Sequence, residues 1–320
     1  MSTTARRFRD LLAGSSAIVL PGAYDALTAR LAEQAGFDGV YVTGYGVSAS
    51  MIGEPDVGLV TMTEMSNRAA QIAAAVSVPV IADADTGYGN ALNVRRTIQA
   101  YERAGLAGLH IEDQVTPKRC GHMTGKSLIS TEEMVGKIRA AVEARRDDDF
   151  TIIARTDARA VTGLDDAIGR AKAYAQAGAT AVFVEAPQSE DEVSFIANAL
   201  RPLPLVMNMA TGSTIDGAKT PPLSVDVLER LGYKIILFPV QAIYAAASAV
   251  RDTFALIRAG VPLSEVLQRM RMIGFTEFNE ILGLGSLREL ESRYAPESQL
   301  QPPRTAVRSA DAVAAKRSVE

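Results

Sequence analysis

Short apolar runs alternate with longer amphipathic segments along most of this chain. The runs are rich in Val, Ile, Leu and Ala, which is typical of strands buried on both faces. The longer segments have helical spacing, and several end at a glycine, the residue that most readily closes a helix in a left-handed conformation. The pattern predicts strands over 17–20, 40–42, 78–82, 108–111, 151–154, 181–184, 205–207 and 235–238.

The alternation of strands and helices predicts a parallel α/β sheet. Eight strand–helix units in one chain favour a closed (βα)8 barrel, and an open doubly wound sheet is the alternative. Additional C-terminal helices are predicted over 243–259, 263–273 and 286–294. We therefore expect one catalytic domain over residues 1–295, followed by a flexible tail or arm over 296–320 that is rich in Pro, Ser and Gln.

Composition narrows the class of protein. The chain has 320 residues, 48% of them hydrophobic, and a formal net charge of −4, which argues against a nucleic-acid partner. No apolar run is long enough to span a membrane, and the first residues lack an apolar signal core. One cysteine permits no intrachain disulfide, and two histidines make a structural zinc site improbable. We expect a cytoplasmic protein without a membrane partner.

Carboxylates follow two neighbouring strands. Asp83 and Asp85 come at the end of run 78–82, and Glu112 ends run 108–111. If the first strand continues through Asp85, both aspartates point to the same side of it. Oxygen ligands of this kind suit Mg²⁺, with Mn²⁺ as the alternative. The other interpretation is two polar loops that cap the following helices.

Polar residues end six consecutive strands, at the rim where barrel enzymes place their active sites. Arg155 in this acidic rim is suited to bind a substrate carboxylate, although a structural ion pair would also explain it. These strand-end residues are Thr43, Asp83 with Asp85, Glu112, Arg155, Glu185 and Asn208.

Cys120 lies between Arg119 and His122 in a glycine-bearing loop. Cationic neighbours lower the pKa of a thiol, so we expect Cys120 to serve as an acid or a nucleophile rather than as a small buried hydrophobe. His110, within an apolar strand, is interpreted as a packed core residue.

A weak dinucleotide fingerprint, G-x-G-x-x-A, covers residues 44–49, with Glu64 about twenty residues further on. The fingerprint requires a long helix immediately after it, and Gly53 with Pro55 interrupts that helix. We therefore reject an NAD site but keep it as a testable rival.

Several motifs resemble the isocitrate lyase/phosphoenolpyruvate mutase superfamily, in the family's order over roughly residues 15–285. The most specific is PKRCGH, which is similar to the loop of the carbon–carbon lyases and differs from that of the phosphorylmutases. The segment TPPLSVDVLERLGYKIILFPVQAIYA is most similar to the branch of 2,3-dimethylmalate lyases and oxaloacetate hydrolases. The remaining motifs are PGAYDALTARLAEQAGFDGVYVTG, GEPD, ADADTGYGN, HIEDQ, ARTDA, FVEAP and NMATG.

The resemblance implies site roles. Asp85 would bind Mg²⁺ directly, with Asp83 and Glu112 holding its waters. Tyr41 would be the base for the substrate hydroxyl. The implied substrate-binding residues are Thr43, Gly44, Tyr45, Arg155, Glu185 and Asn208. The residues of the implied mobile loops are Lys118, Cys120, Gly121 and His122 on one loop and Asp56 on a second.

The resemblance also implies an activity. It is Mg²⁺-dependent cleavage of a 2-hydroxy dicarboxylate or tricarboxylate, of the 2,3-dimethylmalate or 2-methylisocitrate type, into a 2-oxo acid and a carboxylate. The alternatives are an oxaloacetate hydrolase or decarboxylase on the same site, a phosphonate C–P enzyme, and a barrel that binds a small carboxylate without catalysis. A homotetramer is implied, with the last barrel helix, 243–259, a candidate for exchange between subunits.

Departures from the family pattern concern the distal part of the substrate. Thr43 stands where many members have serine, and Tyr45 where many have a small residue. Residues 123–126 lack the arginine seen in some of the lyases. These positions leave the distal substituents of the substrate open.

Overall fold

The computed structural model describes residues 3–210 and 220–295 of the chain. Its eight parallel strands close into a barrel in chain order, with β1 paired to β8. The predicted (βα)8 barrel is thus confirmed, and the open sheet is excluded. The strands are β1 (Ile18–Ala23), β2 (Val40–Val42), β3 (Val80–Asp83), β4 (Gly108–Glu112), β5 (Thr151–Thr156), β6 (Ala181–Val184), β7 (Leu205–Asn208) and β8 (Tyr233–Phe238).

A helix follows each strand along the chain. Side-chain caps fix the starts of α1 to α6, α8 and α9, as at Thr61, which forms a reciprocal capping box with Glu64. The helices are α1 (Thr4–Ala13), α2 (Ala26–Gln34), α3 (Gly44–Ile52), α4 (Met62–Ala75), α5 (Ala91–Arg103), α6 (Thr131–Ala144), α7 (Leu164–Gln176), α8 (Glu190–Leu200), α9 (Val225–Leu231), α10 (Gln241–Arg258), α11 (Leu263–Arg269), α12 (Phe275–Ile281) and α13 (Leu284–Tyr294).

Helix α3 begins directly after β2 and contains the weak dinucleotide fingerprint of residues 44–49. Thr43 caps the helix by accepting a hydrogen bond from the Gly46 N–H at 3.3 Å, and Gly53 ends it in a left-handed conformation. A Cβ on Gly44 would lie 2.5 Å from the Asp83 carboxylate. The glycine therefore permits close packing of the helix start against this carboxylate.

The interior of the barrel is filled by apolar side chains from alternate strand positions. Ile81, Ile153 and Phe183 are buried there, and Phe8 of α1 belongs to the same cluster. A second layer of apolar contacts lies between the strands and the outer helices. Because both faces of every strand are covered, the polar strand ends can only be directed to the rim.

The C-terminal part differs from the predicted helices. Helix α11 ends at Arg269 rather than at 273, and α12 was not predicted. Chain contacts define two compact units, 1–271 with the barrel and 272–320 with α12 and α13 in its described part. The predicted domain boundary at 295 stays a prediction, and the predicted tail 296–320 lies outside the described residues.

Helix α10 follows β8, and none of its 18 residues is buried. Large apolar side chains on it, including Phe254 and Ile257, are exposed. Among the described residues, no helix combines the length and the apolar character that a membrane crossing requires.

Candidate active site

A cavity of about 310 Å³ lies at the carboxyl ends of the strands. It brings together most of the site residues inferred from the sequence. Those that line it are Tyr41, Thr43, Tyr45, Asp56, Asp83, Glu112, Lys118, Cys120, Gly121, His122, Arg155 and Asn208. Three others, Gly44, Asp85 and Glu185, do not line it but contact residues that do.

The two aspartates at the end of β3 are arranged differently from the simple expectation. The strand ends at Asp83, and Asp85 has a left-handed backbone with φ of 46°. The turn forms because the Asp83 carboxylate accepts a hydrogen bond from the Asp85 N–H at 2.9 Å. The expectation that a continuing strand aligns both side chains is therefore wrong, and a turn places Asp85 instead. Burial raises the pKa of Asp85 to about 7, against the opposing effect of Lys118.

Arg155 is surrounded by three carboxylates. Its guanidinium lies 3.1 Å from Glu112, 3.0 Å from Asp157 and 3.1 Å from Glu185. The guanidinium also lies 5.1 Å from the centre of the Phe183 ring. Arg155 therefore makes structural ion pairs and also lines the cavity, while its binding of a substrate carboxylate stays a prediction.

The segment between β4 and α6 lies over the cavity. Gln114 anchors it by accepting a hydrogen bond from the Arg119 N–H at 3.0 Å and donating one to the Arg119 carbonyl at 2.8 Å. The Lys118 ammonium is buried and lies 2.5 Å from Asp56 and 2.9 Å from Asp85. Lys118 thus joins this segment to the loop after α3 and to the end of β3.

Cys120 lines the cavity, but its acidity is opposite to the expectation. Burial raises the pKa of the thiol to about 11. Burial is the largest effect, and the Asp56 charge adds to it. Together they outweigh the lowering of the pKa by the His122 backbone hydrogen bond, Lys118 and Arg155. The expected lowering of the thiol pKa is therefore wrong, and the thiol keeps its proton at neutral pH. A protonated thiol is suited to give a proton rather than to attack as a thiolate.

Several polar atoms at this cavity have no hydrogen-bond partner among the residues that the structure describes. They are both ring nitrogens of His122, Oδ1 of Asn208 and Oε1 of Glu112. His122 Nε2 lies 3.5 Å from Glu185, and the amide nitrogen of Asn208 donates to both oxygens of that carboxylate at 3.2 Å. Buried polar groups are normally paired, so unpaired groups around one cavity indicate a polar ligand.

Tyr41 and His110 form a buried pair beneath the cavity. The Tyr41 hydroxyl lies 2.8 Å from His110 Nε2, and the rings stack at 5.7 Å. Burial, with the Asp83 charge, raises the pKa of Tyr41 well above its usual value, which weighs against the predicted role of Tyr41 as a base. The burial of His110 agrees with its interpretation as a core residue, but that interpretation missed its contact with the Tyr41 hydroxyl. The strand register places His110 beside Asp83.

One wall of the cavity is apolar, and sequence reasoning missed it. Tyr244 from the start of α10 reaches Tyr45, with hydroxyls 3.2 Å apart and rings edge to face at 5.9 Å. The other residues of this wall are Met123, Phe183, Ala210, Leu237, Pro239 and Val240. Most of them lie within motifs quoted above, but these motifs are far apart in the chain, so the sequence did not show that their apolar residues form one wall.

Asp113 is a second residue that sequence reasoning did not assign to the site. It is buried behind the rim, where it accepts hydrogen bonds from the hydroxyls of Thr156 and Tyr174, both at 2.7 Å. It also accepts one from the Asp157 N–H at 3.0 Å. Its position directly after Glu112 is the signal that was available. Neighbouring residues of an extended chain point to opposite faces, so if Glu112 faces the cavity, Asp113 is expected to lie behind it.

The acidic part of the cavity fits a divalent cation. One buried oxygen of Glu112 has no hydrogen-bond partner among the described residues. Asp85 already contacts one positive charge, the Lys118 ammonium, so its environment suits a cation. Within residues 3–210 and 220–295, no three His, Cys, Asp or Glu side chains are grouped closely enough to chelate a metal together. This is compatible with one direct carboxylate ligand and further carboxylates that hold metal-bound waters.

Comparison with known sequences gives consistent matches. The family described as phosphoenolpyruvate phosphomutase matches residues 8–258. The 2,3-dimethylmalate lyase of Eubacterium barkeri is 49% identical over 292 residues, covering 91% of this chain and 98% of the relative. A probable 2-methylisocitrate lyase of Corynebacterium glutamicum is 45% identical over 264 residues, covering 82% and 85%.

Solved structures agree with the sequence matches. Oxaloacetate acetylhydrolase in complex with 3,3-difluorooxalacetate superimposes with a TM-score of 0.83 at 35% identity, covering 91% of this chain and 97% of that one. Phosphonopyruvate hydrolase in complex with oxalate and Mg²⁺ has a TM-score of 0.81 at 33% identity, covering 92% and 99%. With a family match over most of the barrel and a relative at 49% identity, the chain belongs to the phosphoenolpyruvate phosphomutase family, within the PEP mutase/isocitrate lyase superfamily.

Proposed function

We propose that this chain, a carbon–carbon lyase of its superfamily, cleaves a 2-hydroxy dicarboxylate with small alkyl substituents into a 2-oxo acid and a carboxylate. One observation carries the proposal. A single cavity holds an acidic cluster, an arginine, a lysine, a protonated thiol and an unpaired imidazole. This is the set of groups that a retro-aldol cleavage of a diacid requires.

The metal would be held at the acidic side, by Asp85 with Asp83 and Glu112 behind it. The superfamily uses a divalent metal, as the phosphonopyruvate hydrolase complex with Mg²⁺ illustrates. Bound Mg²⁺, or Mn²⁺ in its place, supplies positive charge that lowers the pKa of a 2-hydroxyl and orients the adjacent carboxylate.

The protein groups place the two ends of the substrate. Arg155 and the Thr43–Gly44 helix start hold the carboxylate beside the hydroxyl. The unpaired ring of His122 has an N–H available to donate to the second carboxylate. Loss of the hydroxyl proton forms the C2=O bond and breaks C2–C3, and the electron pair remains on C3 next to that second carboxylate.

Cys120 completes the reaction by giving its proton to C3. Its raised pKa keeps the proton on the thiol until a stronger base, the carbanion, appears. The proton lost from the hydroxyl passes to solvent, and the thiolate left on Cys120 takes a proton back from water once the products leave, so the net proton count of the cycle is zero. The segment over the cavity excludes bulk water that would compete for this step.

The apolar wall favours alkyl substituents over a third carboxylate. Tyr45, Tyr244 and Val240 form one side of the cavity. The two tyrosine hydroxyls contact each other, and a charged group placed against Val240 and the ring faces would lose hydration that these apolar surfaces do not replace. A dialkylmalate fits this wall better than a tricarboxylate of the methylisocitrate type.

An oxaloacetate hydrolase on the same site is the second candidate. It is supported by the structural likeness to oxaloacetate acetylhydrolase, in which only 35% of residues are identical. The phosphonate C–P enzymes rank behind it, because the PKRCGH segment is of the lyase type. A non-catalytic barrel ranks last, because Asp85, Arg155 and Cys120 are all present.

A substrate panel tests the proposal. We expect 2-oxo acid release from 2,3-dimethylmalate or another alkylmalate, with weaker release from 2-methylisocitrate and isocitrate, and loss of release on adding a chelator. Oxaloacetate consumption to acetate and oxalate is followed separately. Consumption of oxaloacetate with no diacid cleaved would replace the lyase with the hydrolase, and silence on every compound would overturn both.

A further inference from the structure

Lys126 lies at the end of the segment that covers the cavity, and its side chain is only 2% exposed. Its ammonium lies 2.8 Å from Oδ1 of Asp157 and also donates to the carbonyl of Gly121. Gly121 is next to Cys120 and lines the cavity. The buried lysine therefore joins the middle of this segment, at Gly121, to Asp157 after β5.

Asp157 connects Lys126 to Arg155. The carboxylate of Asp157 is 0% exposed and accepts hydrogen bonds from Arg155 Nε at 3.0 Å and Nη2 at 3.2 Å. It therefore lies between two cations, one from the rim and one from the covering segment. The cations hold the pKa of Asp157 well below its usual range, although burial alone would raise it.

The charges around Arg155 show why the second cation matters. Glu112, Asp157 and Glu185 all approach this one guanidinium. Without Lys126 these three negative charges outweigh the single positive charge, and an arriving substrate carboxylate is repelled. With Lys126 in place, Asp157 is offset from its other side, so two carboxylates rather than three are left against Arg155 and the repulsion of the ligand is smaller.

We infer that Lys126 is a positioning residue that holds the covering segment against the rim and, by neutralising Asp157, keeps Arg155 available to the substrate carboxylate. The role of Lys126 in substrate binding by Arg155 rests on the proposed function, whereas its role in holding the covering segment does not. Two kinds of measurement therefore test the two roles separately.

The first measurement is limited trypsin digestion of the full chain, followed by mass spectrometry of the fragment that begins at Cys120. Arg119 is exposed, so cleavage after it reports how often the covering segment leaves the rim. We expect Lys126→Met to be cleaved there at least about fivefold faster than the unmodified chain and Lys126→Arg to be cleaved at the original rate. Lys172→Met, at an exposed lysine of α7, is the matched control and should change nothing.

The second measurement is steady-state kinetics on the diacid that the panel identifies. Lys126→Met should raise KM about tenfold or more with a smaller change in kcat, and Lys126→Arg should restore most of KM. Adding Asp157→Asn to Lys126→Met should recover part of the lost affinity, because it removes the unpaired negative charge beside Arg155.

Each result decides the proposal. Equal cleavage of Lys126→Met and the unmodified chain would overturn the holding role, and equal defects in Lys126→Met and Lys126→Arg would overturn the role of charge. If Lys126→Met does not fold, Asp157→Asn breaks the same contact from the other side, and its cleavage rate decides. If no diacid is cleaved by the unmodified chain, the proposed function fails while the digestion still tests Lys126.

Discussion

Glu112 and Arg155 lie directly opposite each other on the neighbouring strands β4 and β5, and their side chains pair at 3.1 Å. The register of the barrel alone brings this acid and this base together. Glu112 uses one oxygen for Arg155, while the other is unpaired among the described residues. The pair thus joins the acidic side of the cavity to the side that we propose binds carboxylates.

Replacing Arg155 with lysine tests the binding of the substrate carboxylate. Lysine keeps the charge but loses the planar fork that can hold a carboxylate in two hydrogen bonds. We expect kcat/KM for the cleaved diacid to fall about 100-fold, as for loss of one or two charge-assisted hydrogen bonds. Steady-state kinetics measure this, and thermal unfolding serves as the control. A change of less than threefold would remove Arg155 from substrate binding.

Replacing Cys120 with serine tests the proton donor. A serine hydroxyl is a much weaker acid than a thiol, so we expect turnover to be lost while Mg²⁺ binding, measured by calorimetry, remains intact. The chain has one cysteine, so the substitution removes every thiol. Turnover at the original rate would show that Cys120 does not donate the proton.

The pKa of Cys120 predicts how the thiol reacts with iodoacetamide. Only the thiolate is alkylated, and a pKa raised from 9.0 to about 11 lowers the thiolate fraction at pH 8 about 100-fold. We expect slow alkylation at pH 8 that accelerates as the pH rises towards 11. Alkylation in denaturant, where burial is lost, should be fast at pH 8 and provides the control. Fast alkylation of the folded chain at pH 8 would contradict the raised pKa.

Gly121 tests the contact between the covering segment and the rim. A Cβ on this residue would lie 2.7 Å from Cγ of Glu185 and would also meet the Arg155 guanidinium. We therefore expect Gly121→Ala to reduce kcat/KM at least about tenfold, because the segment can no longer lie against the rim. Gly169→Ala in α7 is the matched control, since its Cβ would meet nothing within 4 Å. Equal kinetics of the two variants would contradict the contact.

Helix α10 provides the test of the homotetramer, which stays a prediction. An 18-residue helix with no buried side chain and with exposed Phe254 and Ile257 suits a contact with another subunit. We expect light scattering to give the mass of a tetramer and Phe254→Glu to reduce it. Ser248→Glu, at an exposed polar position of the same helix, should leave the mass unchanged. A monomeric mass for the unmodified chain would refute the oligomer.

The barrel and most of its rim were predictable because both follow from local patterns. Apolar runs mark the strands, and in a parallel barrel every strand end must lie at the same rim, so the polar residue after each run could be placed without coordinates. Asp83, Glu112, Arg155 and Asn208 are found together for this reason.

Other features could not be read from the sequence because they depend on contacts between distant segments. Tyr244 reaches Tyr45 only through closure of the barrel, and Lys126 meets Asp157 only when the covering segment lies on the rim. The low pKa expected for the Cys120 thiol was wrong for a related reason. The adjacent cations in the sequence indicated a low pKa, but burial in the folded chain has the larger effect and raises it.

The barrel separates the residues that hold a ligand from those proposed to convert it. The carboxylates and Arg155 belong to the strand ends, whereas Lys118, Cys120 and His122 lie on one short segment between β4 and α6. A change of chemistry therefore does not require a change of scaffold. We expect that exchange of the segment between β4 and α6 changes the reaction while the strand-end groups stay in place. New activities in such a protein can thus arise by local replacement, while the strands continue to satisfy the demands of folding.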